Sequence, residues 1–149
     1  MEEQRKAVRK MQDYINDHIS EEISIGDLAK AASFSPWYAR RIFIKYLDMT
    51  PAVYIRRLKL SRSALKLRDE SCQILDVAMD MGYGSVDGYQ RAFRREFGIN
   101  PGEYSASPVP VWLFTPFFII DQERSERKMS DIRNVIYPGG GEACTQGDH

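Results

Sequence analysis

An all-α fold is predicted: two helix-turn-helix subdomains in tandem, joined by a long linker helix to give about seven helices, with an extended C-terminal tail. Three observations predict it. Apolar residues recur at steps of three and four along most of residues 3–104. Helix-start pairs, a capping residue followed by proline, stand at Ser35-Pro36, Thr50-Pro51 and Asn100-Pro101. The chain also repeats itself. Ile25, Asp27, Ala29 and Phe34 match Ile74, Asp76, Ala78 and Tyr83 at an offset of 49, and Arg41, Phe43, Lys45, Pro51 and Tyr54 match Arg91, Phe93, Arg95, Pro101 and Tyr104 at an offset of 50. A repeated short helix, tight turn and longer helix is the pattern of a duplicated two-helix unit.

The elements follow in order. Val8, Met11, Ile15 and Ile19 form one stripe and predict a helix over about Glu3–His18. Ser24 caps a short helix, Ile25–Ala32, with Asp27 favoured near its positive end. Ser35 caps a third that runs to about Tyr46. Thr50 opens a fourth, about Pro51–Leu67, whose apolar residues do not share one face. A fifth spans about Ile74–Met81 and stops at Gly82, which suits a left-handed turn. Ser85 caps a sixth, about Val86–Phe97, ending at Gly98, and Asn100-Pro101 opens a last turn or two. Ser33 and Asp48 stand where a turn glycine would be easier, at a cost under about 1 kcal/mol each if the backbone is left-handed there. The two helix-turn-helix units therefore cover about 24–46 and 73–97, inside a domain over 1–106.

Composition narrows the functional classes. The 149 residues are 43% hydrophobic and 28% charged, which suits one compact domain with an appendage. Cys72 and Cys144 lie far apart, and neither they nor His18 and His149 have metal-ligand spacing, so no metal, cofactor or disulfide framework is expected. Cys72 reads as a small buried filler, and His18 has no partner in view. The longest apolar run, Val109–Ile120, is too short to span a bilayer, and Met1–Lys10 is too charged for a signal peptide. A reduced cytoplasmic protein is the expectation. No nucleophile, base and orienting group fall together, so an enzyme is not expected.

The net charge is zero, but unevenly spread. Between Lys30 and Arg68 there are ten bases and one acid, Asp48; between Asp69 and Tyr89 there are five acids and no base; Arg91, Arg94 and Arg95 then return. Local field, not net charge, attracts a phosphate backbone. In the third helix Ile42 and Phe43 face the core, leaving Trp37, Arg40, Arg41 and Lys45 outside. In the sixth, Ala92 and Phe93 face in, leaving Asp87, Gly88, Gln90, Arg91, Arg94 and Arg95 nearer the outer side. Arginine can bond guanine bidentately and glutamine adenine. Lys45, Arg94 and Arg95, further along, suit phosphates, as do the capped helix starts at Ser35 and Ser85. Tyr38 and Tyr89 read as packing residues.

The stretch Gly82-Tyr-Gly-Ser-Val-Asp-Gly-Tyr-Gln-Arg-Ala-Phe-Arg-Arg-Glu-Phe-Gly-Ile-Asn-Pro-Gly-Glu-Tyr104 closely resembles the signature of the AraC/XylS family of bacterial transcription regulators. Leu28-Ala-Lys-Ala-Ala-Ser-Phe-Ser-Pro-Trp-Tyr-Ala-Arg-Arg-Ile-Phe43 resembles the family's first helix-turn-helix. The resemblance covers about residues 5–105. It implies a seven-helix domain that binds promoter DNA as a monomer, both recognition helices entering successive major-groove segments on one face. Turns of B-DNA lie about 34 Å apart, so lobes held closer than that imply bending. It further implies base contacts from Trp37, Arg40 and Arg41, and from Asp87, Gln90 and Arg91. Asp87 departs from the pattern: it can accept from cytosine N4 or serve its own helix start.

The DNA-binding module comes first here, which resembles a subgroup in which a C-terminal effector domain follows. Pro108–Ile120 reads as an extended connector, since its prolines forbid a helix, and its aromatic residues need cover from the chain's own domain or a second chain. The final glycine-rich residues read as disordered. About 45 residues after Tyr104 cannot build an effector domain, so the sequence fits either a small stand-alone regulator or a product shortened from a longer gene. The leading expectation is a sequence-specific transcription activator that recruits RNA polymerase. The alternative is a protein-interaction module that docks polymerase, or dimerises, through 109–120.

Overall fold

The computed structural model of the chain describes residues 2–119. Among these, seven α-helices form and no strand: α1 (Glu2–Asp17), α2 (Ile25–Ala32), α3 (Pro36–Leu47), α4 (Pro51–Asp69), α5 (Ile74–Asp80), α6 (Val86–Phe97) and α7 (Pro101–Ala106). They divide between two compact units. The first holds α1–α3, the opening turns of α4 up to Arg56, and the stretch from Pro116 to Ile119. The second holds Arg57–Thr115, with the rest of α4 and α5–α7. That division explains why the apolar residues of α4 do not share a face: Tyr54 and Ile55 are buried in the first unit, and Leu60, Ala64 and Leu67 in the second.

Local signals set most helix ends. At α2 the Ser24 hydroxyl accepts from Asp27 N–H (3.1 Å) while the Asp27 carboxylate accepts from Ser24 N–H (2.9 Å), a reciprocal capping box. Ser35 and Ser85 cap α3 and α6 by accepting from Tyr38 N–H (3.2 Å) and Gly88 N–H (3.1 Å). Thr50 accepts from Val53 N–H at the start of α4 (3.2 Å).

The duplication extends to individual backbone bonds. After α2, Phe34 N–H reaches back to the Ala29 carbonyl (3.1 Å); after α5, Tyr83 N–H reaches Ala78 (2.9 Å). The left-handed residue in the first turn is Ser33 (φ 62°), and in the second it is Gly82 (φ 84°). After α3 and α6 the left-handed residues are Asp48 (φ 60°) and Gly98 (φ 80°), with N–H bonds to Ile44 and Arg94. Both positions expected to be strained in the first unit are therefore left-handed without glycine.

In the first unit α1, α2 and α3 pack on one another around Val8, Met11, Ile15, Leu28, Ala39, Ile42 and Phe43. In the second, Leu60, Ala64, Leu67, Val77, Ala78, Met81, Tyr89, Phe93 and Tyr104 form one cluster. Equivalent rings meet in each: Phe43 and Tyr54 edge to face at 5.2 Å, and Phe93 and Tyr104 tilted at 5.8 Å. Tyr89 is packed as expected, and burial pushes its phenol well above the ordinary value.

Two expectations are corrected. His18 has a partner: its ring stacks on Tyr14 at 3.9 Å, with Nδ1 2.9 Å from the Tyr14 carbonyl one turn back. Cys72 is half-buried rather than buried, because it lies in the loop between α4 and α5, with its thiol 3.3 Å from the Glu70 carboxylate. In the region expected to be an extended connector, Pro108–Ile120, the described residues 108–119 form neither helix nor strand. Cys144, His149 and the glycine-rich end, where disorder was expected, lie outside the described residues.

The Ser24 backbone N–H, and then the Ser24 side chain, hold the Asp27 carboxyl below its ordinary value. A lowered folded-state value means the contribution is complete above the unfolded carboxylate value and is lost as pH falls through the folded one. Ser24→Ala is expected to cost about 1 kcal/mol in urea unfolding. Asp27→Asn should destabilise at neutral pH and progressively less on acidification; equal penalties at neutral and strongly acid pH would contradict the capping account.

Candidate nucleic-acid interface

On α3, Trp37, Arg40 and Arg41 stand at i, i+3 and i+4 and therefore share a face. All three are exposed, and Trp37 retains 67% of its surface. The Arg41 guanidinium lies over the Trp37 ring, 5.0 Å from its centroid. A cation–π contact of this kind helps to order the guanidinium.

Both the first and the last turn of α3 are held by one residue of α1. Gln4 on α1 donates from Nε2 to the Tyr38 hydroxyl, and its Oε1 accepts from Lys45 Nζ (3.1 Å) and the Tyr46 hydroxyl (3.0 Å). Lys45 also lies over the Tyr46 ring, 5.3 Å from its centroid. It stays exposed, but its ammonium already has partners within the chain. A polar residue in the first turn of an amphipathic helix gives no signal of this role.

On α6, Asp87, Gln90 and Arg91 repeat the i, i+3, i+4 pattern. Asp87 and Arg91 are open to solvent, with side chains 80% and 69% exposed, and their carboxylate and guanidinium are 3.9 Å apart. An exposed pair at this distance contributes little. Gln90 is half-buried, while Arg94 and Arg95 are exposed in the last turn. Gly88 sits where an added Cβ would meet the capping Ser85 Oγ at 3.3 Å, so the capped start of α6 leaves little room for a side chain there. The cap is Ser85, not Asp87: no side-chain bond from Asp87 forms the start of the helix.

Several bases of the stretch from Lys30 to Arg68 have acidic partners. Arg57 pairs with Glu96 (3.1 Å), Lys66 lies 3.8 Å from both Glu70 and Asp80, and Arg68 is bonded to Asp69 (2.7 Å). Three of the acids that follow Arg68 in sequence thus answer bases of α4 within the second unit. The bases of α3 and α6 expected to face outward are exposed.

A family model described as a helix-turn-helix domain matches residues 28–107. The regulatory protein SoxS of Salmonella typhimurium is 35% identical over 100 residues, 67% of this chain and 94% of that protein. The chain belongs to the AraC/XylS family. It is therefore one of the AraC-type DNA-binding transcriptional regulators. Two solved structures share the fold. One is an AraC-type transcriptional regulator from Chromobacterium violaceum, with a TM-score of 0.63 and 25% identity, covering 70% of this chain and 96% of that one. The other is the DNA-binding domain of the global transcriptional factor AdpA, solved with a target DNA, with a TM-score of 0.63 and 21% identity, covering 67% and 90%. In this AraC-type chain the matched region takes in α3 and α6 whole. Among the described residues no helix is long and apolar enough to cross a membrane, and no group of His, Cys, Asp and Glu could hold a metal.

Gln4→Ala is expected to cost about 1 kcal/mol, since it leaves partly buried hydroxyls without their partner. It should also speed amide exchange in α3 and leave α6 unchanged. Unaltered α3 protection would remove Gln4 from the interface.

Proposed function

We propose that the chain is a sequence-specific regulator, acting as an activator, that reads two successive major-groove segments of promoter DNA with α3 and α6. The observation that carries this reading is the matched pair of triplets, Trp37-Arg40-Arg41 and Asp87-Gln90-Arg91, exposed except for the half-buried Gln90, each on the helix after a tight turn. The first half of such a helix is the part that meets base edges. In this reading Arg41 and Arg91 take guanine O6 and N7, Gln90 takes adenine, and Asp87 accepts from cytosine N4 once Arg91 leaves it for the duplex. Arg40 adds a second donor fork, and Trp37 packs on a thymine methyl or sugar. Lys45, Arg94, Arg95 and the capped starts at Ser35 and Ser85 bind phosphates. The protein binds as a monomer in the bacterial cytoplasm and recruits RNA polymerase.

Cognate sites selected from random duplexes give the reference. Arg41→Ala and Arg91→Ala are each expected to weaken binding to that site by about 1–3 kcal/mol and to relax preference at one base pair. Undiminished binding by both variants would falsify the assignment of recognition helices. Arg94→Ala should instead weaken all sequences alike and reduce the slope of log affinity against log salt by about 0.9.

One observation favours a second surface. Trp112 is 92% exposed and Phe117 65% exposed on the segment after α7. In that reading the strip docks RNA polymerase. Trp112→Ala is then expected to lower transcription from a cognate promoter in vitro while leaving DNA affinity unchanged; full output from the variant would dismiss the strip.

A further inference from the structure

The buried side of α1 carries two polar residues, Arg9 and Gln12, and Gln12 is wholly enclosed. An enclosed amide is costly unless its donors and acceptor are used. Gln12 Nε2 donates to the Tyr54 hydroxyl (3.2 Å) and to the Phe117 carbonyl (2.9 Å), and its Oε1 accepts from Ile119 N–H (2.9 Å). One amide thus bonds the C=O of one residue and the N–H of the residue two further on, as a residue in a neighbouring parallel strand does. Arg9 continues the pattern. Its Nη1 donates to the Ile119 carbonyl (3.1 Å), its guanidinium lies 4.8 Å from the centre of the Phe118 ring, and its Nε is held by Asp13 (2.9 Å). Three consecutive residues are therefore read, two by their backbone and one by its ring.

The same helix holds α3 through Gln4, eight positions before Gln12. We propose that Arg9 and Gln12 form a receptor for an extended peptide, and that its in-chain occupant, Phe117–Ile119, controls DNA binding by fixing α1 and thereby α3. The control rests on α3 being a reader of DNA, as proposed above. Seated, the segment completes the bonding of Gln12 and supplies a ring and a carbonyl to Arg9. Unseated, Gln12 loses two of its three partners and α1 loosens its hold on Tyr38, Lys45 and Tyr46. Tethering favours the chain's own segment over a free peptide through its high effective concentration.

The test uses the full chain. Ile119→Pro deletes the N–H that Gln12 accepts, and Phe118→Ala removes the ring beneath Arg9; neither residue lies within a helix. The double variant is expected to exchange α1 and α3 amides roughly tenfold faster and to bind cognate DNA roughly tenfold more weakly. A capped peptide of residues 115–119 with a lysine tail, added in trans, should bind the variant and restore both, and adding Gln12→Ala should abolish peptide capture. In the unaltered protein the Ile119 amide should exchange slowly. An Ile119 amide exchanging at the rate of an open chain overturns the receptor. Unchanged α3 exchange and DNA affinity in the double variant overturn the control, and if Arg41→Ala still weakens binding, the recognition reading survives. Loss of the Arg41 effect with altered α3 exchange would mark the reverse case.

Discussion

The outward faces of α3 and α6 each depend on one buried ring. Phe43 and Phe93 are fully enclosed, and each meets an enclosed tyrosine from the next helix, Tyr54 or Tyr104. A helix turns by about 100° per residue, so a residue two positions before the buried phenylalanine points about 200° away from it. That residue is Arg41 in one unit and Arg91 in the other. The prolines that open α4 and α7, Pro51 and Pro101, are buried as well, so the tyrosine-bearing helix begins at a fixed place relative to the ring it receives. Enclosing a phenylalanine contributes more than any surface charge in these helices could oppose. The arginines are exposed because the rings are not.

The two units reach the same geometry by different local chemistry. Gly82 and Gly98 adopt left-handed backbone easily, whereas Ser33 and Asp48 adopt it at some cost, tolerated because the surrounding hydrogen bonds and packing require it. Charge is shared in a similar way. Asp69, Glu70 and Asp80 pair with bases of α4, and Arg40, Arg41, Arg94 and Arg95 stay exposed on α3 and α6. A chain of zero net charge can therefore present basic helices to a phosphate backbone.

The segment after α7 is held by its own chain rather than left as a loose linker. Val111 and Leu113 pack on the second core, Phe114 N–H donates to the Ser61 hydroxyl (2.7 Å), and the Phe114 ring lies under Arg57. Phe118 and Ile119 are received by Arg9 and Gln12 in the first unit. Cover for the aromatic run thus comes in part from the domain itself, with Trp112 and Phe117 left exposed.

The sequence alone determined what neighbouring residues decide. Caps, prolines and period set α2 and α6 at their observed bounds and the other ends within two residues, because the interactions that start and stop a helix span only three to five positions. The same periodicity, combined with the repeat, made Trp37, Arg40, Arg41, Asp87 and Arg91 legible as outward residues. Tertiary structure decided the partners: Gln4 for Tyr38, Lys45 and Tyr46, Glu96 for Arg57, and Arg9 and Gln12 for Phe117–Ile119. Those contacts join residues 34 to 110 positions apart. A polar side chain on a helix reads alike in sequence whether it meets water or the backbone of a distant segment, since only folding brings the second group within bonding distance.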